Sequence, residues 1–131
     1  MQKAPAKTGP EELRTDLAPL VTRLPKLADV DSAQWMGGIL GDRSVPGPST
    51  YWLDAVVVLD EKTLKETASL PGLVTVDPPV VVRGLKASMP KGNLRRSETL
   101  DDFFTIAPWR VEAWLAEEEG QVVLFIVGGY H

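Results

Sequence analysis

Apolar positions are densest at Tyr51–Leu59, YWLDAVVVL. Tyr51, Leu53, Ala55, Val57 and Leu59 are all apolar; the intervening Trp52, Asp54, Val56 and Val58 include a single acid. Successive strand side chains point to opposite faces, so this composition predicts a central strand covered on both sides, with Asp54 on one of them. Ser32–Leu40 (SAQWMGGIL) predicts a second strand, with Trp35, Gly37 and Ile39 on one face and Gln34, Met36, Gly38 and Leu40 on the other. Its Gly37-Gly38 pair points to a bulge or a close backbone approach. Trp109–Glu117 and Gln121–Tyr130 predict a hairpin joined by Glu118-Glu119-Gly120. The second of these strands is apolar on both faces and belongs in the middle of a sheet.

Other stretches repeat at helical spacing. Leu13, Leu17, Leu20 and Leu24 make one stripe behind a Thr8-Gly9-Pro10-Glu11 start signal, with Pro19 predicting a kink or two short helices. Asp60 caps a predicted helix Glu61–Leu70, stopped by Pro71-Gly72, and Ser97 caps a short one carrying Leu100, Phe103 and Phe104. Leu73–Met89 reads two ways: Val80-Val81-Val82 favours a strand, while Pro78-Pro79 and the spacing of Val82, Leu85 and Met89 favour a helix. Residues 76–89 lean to the helix, and Pro90–Arg96 to a loop. Together these elements predict an α+β fold: a single two-layer domain at residues 8–131, behind a loose tail at residues 1–7. It would hold a mainly antiparallel sheet of about four strands with helices over one face.

Composition narrows the chemistry. The 131 residues are 44% hydrophobic and 24% charged, ordinary for a globular chain. With no cysteine, disulfides, thiolate nucleophiles and thiolate metal sites drop out. The single histidine is the last residue, His131, which removes catalytic triads and multi-histidine metal sites. No cofactor is implied. Met1–Pro10 lacks the apolar stretch of a signal peptide, and no apolar run approaches the length of a membrane span, so a cytoplasmic protein is expected.

Net charge is −4, against a general nucleic-acid binder. The charge is unevenly spread. Arg83, Lys86, Lys91, Arg95 and Arg96 fall within fourteen acid-free residues, leaving nine bases against eighteen acids elsewhere. Such a run is a solvated face or a dock for an acidic protein patch or a polyanion, and it lacks the aromatic interleaving that base stacking requires. Glu117-Glu118-Glu119 serves solubility or forms the acidic half of a self-complementary contact.

Motifs for phosphate binding fail. Gly37-Gly38-Ile39-Leu40-Gly41 is followed by Asp42-Arg43 and a strand, where a phosphate loop requires Lys-Ser/Thr and a helix. A richer set of groups lies on the strands. Trp52, Asp54, Arg110, Glu112 and Trp114 share one face if the strands at 51–59 and 109–117 are neighbours, as a structural ion pair, a wet sheet face or a site for a polar ligand. The ten-residue loop Asp42–Tyr51 is stiffened by Pro46 and Pro48, and stiff long loops carry binding sites or plug the end of a core.

The expectation is a small non-catalytic binding domain, of adaptor, inhibitor or immunity-like kind. Its partner is another protein, met by Asp42, Arg43, Tyr51, Trp52, Asp54, Arg110 and Trp114 at the loop and adjoining sheet face, helped by the basic segment. The alternative is a small-ligand or enzymatic pocket between sheet and helices, lined by Trp35, Trp52, Asp54, Arg110 and Trp114. A homodimer through a bare sheet face or edge is the third reading. Partner binding calls for Trp52 or Trp114 at the surface; a pocket calls for both buried around a void.

Overall fold

A computed structural model describes residues 7–8, 13–40, 50–77, 85, 89–106 and 109–129. Its strands are β1 (Lys7–Thr8), β2 (Ser32–Leu40), β3 (Thr50–Val58), β4 (Val74–Val76), β5 (Leu94–Arg96), β6 (Trp109–Ala116) and β7 (Gln121–Gly129). They form one sheet in the order β1-β2-β3-β7-β6-β5-β4, every pair antiparallel. Among the described residues three α-helices accompany it: α1 (Ala18–Arg23), α2 (Glu61–Ala68) and α3 (Glu98–Phe104). The α+β class and antiparallel sheet are as expected, and β7 is the middle strand.

The expected strand number was too low. The four long strands are flanked by pieces of two or three residues at both edges. Those pieces are too short to carry an alternation of their own, and β5 falls within the expected loop Pro90–Arg96. The two-layer picture also needs correction, because both sheet faces are covered. Leu20, Leu24, Leu27, Leu100 and Phe104 from the helical segments join Leu53, Ala55, Val57, Val111, Ala113, Leu115, Val122, Leu124 and Ile126 in one cluster. On the second face Met36, Trp52, Val56, Trp114 and Val123 pack with Leu85, Leu94 and Met89.

The N-terminal helix is shorter than expected. Thr8 pairs with Ile39 as part of β1 instead of capping a helix, and Arg14 exchanges two 2.8 Å backbone hydrogen bonds with Trp35. The β2 edge offers backbone partners that an extended segment can use and a helix cannot. Helix α1 therefore begins only at Ala18, with Pro19 in its first turn, where a missing N–H costs nothing. Trp35 Nε1 donates to the Asp16 carbonyl at 2.8 Å and holds the approach to it. The other two caps form as expected: Asp60 accepts from the Thr63 N–H at 3.1 Å, and Ser97 from the Leu100 N–H at 3.0 Å.

The β2–β3 register runs unbroken from Ser32↔Val58 to Leu40↔Thr50, so the glycine pair makes no bulge. It marks a close approach: a Cβ on Gly37 would lie 2.9 Å from the Trp52 carbonyl oxygen. Gly128 works likewise on β7, where the Trp109 ring lies over it and leaves no room for a side chain.

The outer edge of β6 is finished by a helix. Strand β5 meets β6 at one pair, Arg95↔Leu115. Beyond it, Asp101 Oδ1 accepts the Ala113 N–H at 2.8 Å, and Thr105 Oγ1 accepts the Val111 N–H at 3.0 Å. Side chains from α3 and the residue after it thus take the place of a neighbouring strand. Most of 76–89, the stretch with two readings, and the tail residues 1–6 lie outside the described residues. Among the described residues, no helix is long and apolar enough to cross a membrane.

Candidate functional site

The strand registers decide which candidate residues meet. On the second face, Met36, Asp54, Phe125 and Glu112 form one cross-strand row, and Gly38, Trp52, Val127 and Arg110 the next. Gln34, Val56, Val123 and Trp114 form the row on the other side. Trp52, Asp54, Arg110, Glu112 and Trp114 therefore share a face. The strands that carry them are not neighbours, because β7 separates β3 from β6. Two strand spacings put the Asp54 and Glu112 backbones about 10 Å apart, too far for the pair to share a proton directly.

Burial separates these residues further. Asp54 is 2% exposed and has an interaction partner, so it is not a free carboxylate. Trp52 and Trp114, at 4% and 9%, belong to the second-face apolar cluster, so the surface tryptophan expected of partner binding is found at neither position. Trp35 packs on the opposite, helix-covered face. A pocket lined jointly by Trp35, Trp52, Asp54, Arg110 and Trp114 is therefore ruled out by strand alternation: the sheet itself lies between the first and the rest. Tyr51 also falls on the helix side by alternation, at the end of β3, and is 36% exposed. Asp42 and Arg43, with the loop around them, lie outside the described residues, as do Arg83, Lys86 and His131.

The described part of the basic segment is largely paired within the chain. Arg96 lies over the Trp114 ring, 4.5 Å from its centroid, and its guanidinium pairs with Asp101 and with Glu112 at 3.4 Å. Arg95 pairs with Glu117 at 3.7 Å. The Glu119 carboxylate lies against Gly92, where a side chain would collide with it. The acidic turn and basic stretch therefore meet within one molecule. Lys91 is exposed and makes no ion pair among the described residues.

Beside this network the second face opens into a hollow of about 550 Å³. Phe125 and Val127 of β7, both half-buried, contribute its apolar part. Arg110 and Glu112 stand on β6, while Asp101 and Asp102 of α3 approach from the edge. Arg110 and Asp102 are exposed, and among the described residues neither has an ion pair or side-chain hydrogen bond. Phe125, Val127, Asp101 and Asp102 had not been singled out from sequence. The hairpin register would have found the first two, since it sets Val127 opposite Arg110 and Phe125 opposite Glu112. The two aspartates arrive through the packing of α3 on the β6 edge, for which the sequence carries no local signal.

The perturbed ionisations lie away from this hollow. Hydrogen bonding from Arg14 lowers the Asp16 pKa, and hydrogen bonding from Thr63 lowers that of Asp60. Burial, with the nearby Arg14 charge, lowers that of Arg23, whose guanidinium lies 5.0 Å from the Trp109 ring centroid. Among the described residues no group of three His, Cys, Asp or Glu side chains could hold a metal ion.

No known protein family, curated protein or solved structure matches this chain.

Proposed function

We propose that this protein is a non-catalytic interaction module, receiving a protein partner at the end of the sheet where residues 41–49 join β2 to β3. The observation that carries this reading is that two of the four exposed large apolar side chains among the described residues stand together at that end, the other two, Leu13 and Val74, lying elsewhere. Tyr51 at the start of β3 is 36% exposed and Ile106, bridged to Trp109 at the start of β6, is 47% exposed. Anchors of this kind, beside a nine-residue connection bearing Asp42 and Arg43, suit a binding rim. Acids of the second face support a binding role over acid–base work: Glu112 and Asp101 are tied to Arg96, and Asp54 is buried.

The test is site-specific photo-crosslinking in cells producing the full chain, with the photoreactive residue at Tyr51 or, as control, at the exposed Glu61 of α2. A discrete adduct from Tyr51 and none from Glu61 is expected. An adduct of twice the chain's mass would identify the partner as a second copy. Equal labelling from both positions, or none from either, would remove the rim as the working surface.

A further inference from the structure

The hollow on the second face has a chemistry of its own, separate from the rim at Tyr51. Two arginines and three acids line it, Arg96 and Arg110 against Asp101, Asp102 and Glu112. Arg96 is committed to Asp101 and Glu112 and is stacked on Trp114. Among the described residues that leaves one uncommitted cation, Arg110, and one uncommitted anion, Asp102, with Phe125 and Val127 contributing apolar surface.

We propose that this hollow binds a small zwitterion with an apolar side chain, a compound of the α-amino-acid type. A guanidinium with free donors suits a carboxylate, which it can grip through two parallel hydrogen bonds. Asp102, backed by the surplus charge of Asp101 and Glu112, suits an ammonium. Neither charge alone fits as well: a simple carboxylate leaves Asp102 unanswered, and a simple amine leaves Arg110 unanswered. The apolar side chain covers Phe125 and Val127. A volume of about 550 Å³ lies within the span of small-ligand sites.

The experiment is a titration of the full-length protein with L-phenylalanine, followed through the backbone amide resonances of Arg110, Phe125 and Val127. Saturable shifts with a Kd on the order of 1 mM are expected for contacts this open. 3-Phenylpropanoate, which lacks the ammonium, and phenethylamine, which lacks the carboxylate, should each bind about tenfold more weakly, because each forgoes one charge-assisted contact. Arg110→Ala should weaken L-phenylalanine about tenfold without weakening phenethylamine; Asp102→Asn should weaken L-phenylalanine similarly without weakening 3-phenylpropanoate. Both residues are exposed, and unshifted resonances outside the hollow will show that each variant is folded. The proposal is overturned by the absence of saturable shifts around Arg110, or by equal binding of the three compounds. Crosslinking at Tyr51 is read independently, so either proposal can fail while the other stands.

Discussion

The two faces of the sheet are built from the same strands, yet they differ in kind. Toward the helices, Leu53, Ala55, Val57, Val111, Ala113, Leu115, Val122, Leu124 and Ile126 are all apolar and all buried. Away from them, the alternate positions mix buried Trp52, Val56 and Val123 with buried Asp54, exposed Arg110 and exposed Glu112. The first face can change little without loss of packing, because its cost is set by area and cavity volume. The second combines a smaller apolar cluster with charged side chains at one end, where Arg110 and Asp102 have no ion pair among the described residues. Stability should therefore concentrate on one face and ligand chemistry on the other.

The largest effect should come from the helix-covered face. Leu124 is fully buried in the middle strand. Leu124→Ala should lower unfolding free energy by about 3 kcal/mol, read from the urea midpoint at unchanged m-value. A loss below about 1 kcal/mol would mean that this face relaxes around the cavity, and the contrast between the faces would weaken.

Next comes the β6 edge, where polar groups do structural work. Asp101 accepts the Ala113 N–H and also pairs with Arg96. Asp101→Ala should cost about 2 kcal/mol by leaving a partly buried donor unmade, with faster hydrogen exchange at the Ala113 amide. Asp101→Asn keeps an acceptor oxygen for that amide and should recover part of the loss. If Asn proves no better than Ala, the ion pair with Arg96, and not the edge bond, is what Asp101 contributes.

What could be read beforehand follows the length of the pattern. Ser32–Leu40 was legible to the residue, and Tyr51–Leu59 to within one, because each offers nine consecutive positions with a consistent facing. The caps at Asp60 and Ser97 are local chemistry and were equally plain. Lys7–Thr8 and Leu94–Arg96 were not, because two or three residues become strands only when a long neighbour supplies their hydrogen bonds. The Leu13–Leu24 stripe misled for a related reason: the bare β2 edge drew Arg14 into pairing, which local helical spacing does not register. At the candidate site, alternation placed Trp52, Asp54, Arg110, Glu112 and Trp114 on one face. It did not reveal that β7 would stand between the strands, nor that Asp101 and Asp102 would come in over the edge.

A smaller effect is expected at the Asp60 cap, which lies outside both faces and calibrates them. Asp60→Ala should cost about 1 kcal/mol at neutral pH, as loss of a helix N-cap does. The folded-state pKa of Asp60 is lowered by hydrogen bonding from Thr63, so the carboxylate stabilises the fold above its unfolded pKa of about 3.9. That contribution is lost as pH falls through the lowered folded value. The stability gap between wild type and variant should therefore close in acid; a gap independent of pH would show that Asp60 acts through something other than its charge.

The smallest change in stability should fall on Arg110, and that smallness is what sharpens the contrast. Arg110 is exposed and has no partner among the described residues, so Arg110→Ala should leave unfolding free energy within about 0.5 kcal/mol. Arg96, on the next strand outward, is a different kind of cation: it is stacked on Trp114 and pairs with two acids, so removing it strips their partner. A residue kept for structure and a residue left free for a ligand would thus stand side by side on one surface, distinguished by thermal denaturation alone. If Arg110→Ala were as costly as Arg96→Ala, Arg110 would be part of the scaffold, and the charge assigned to a ligand's carboxylate would already be in use.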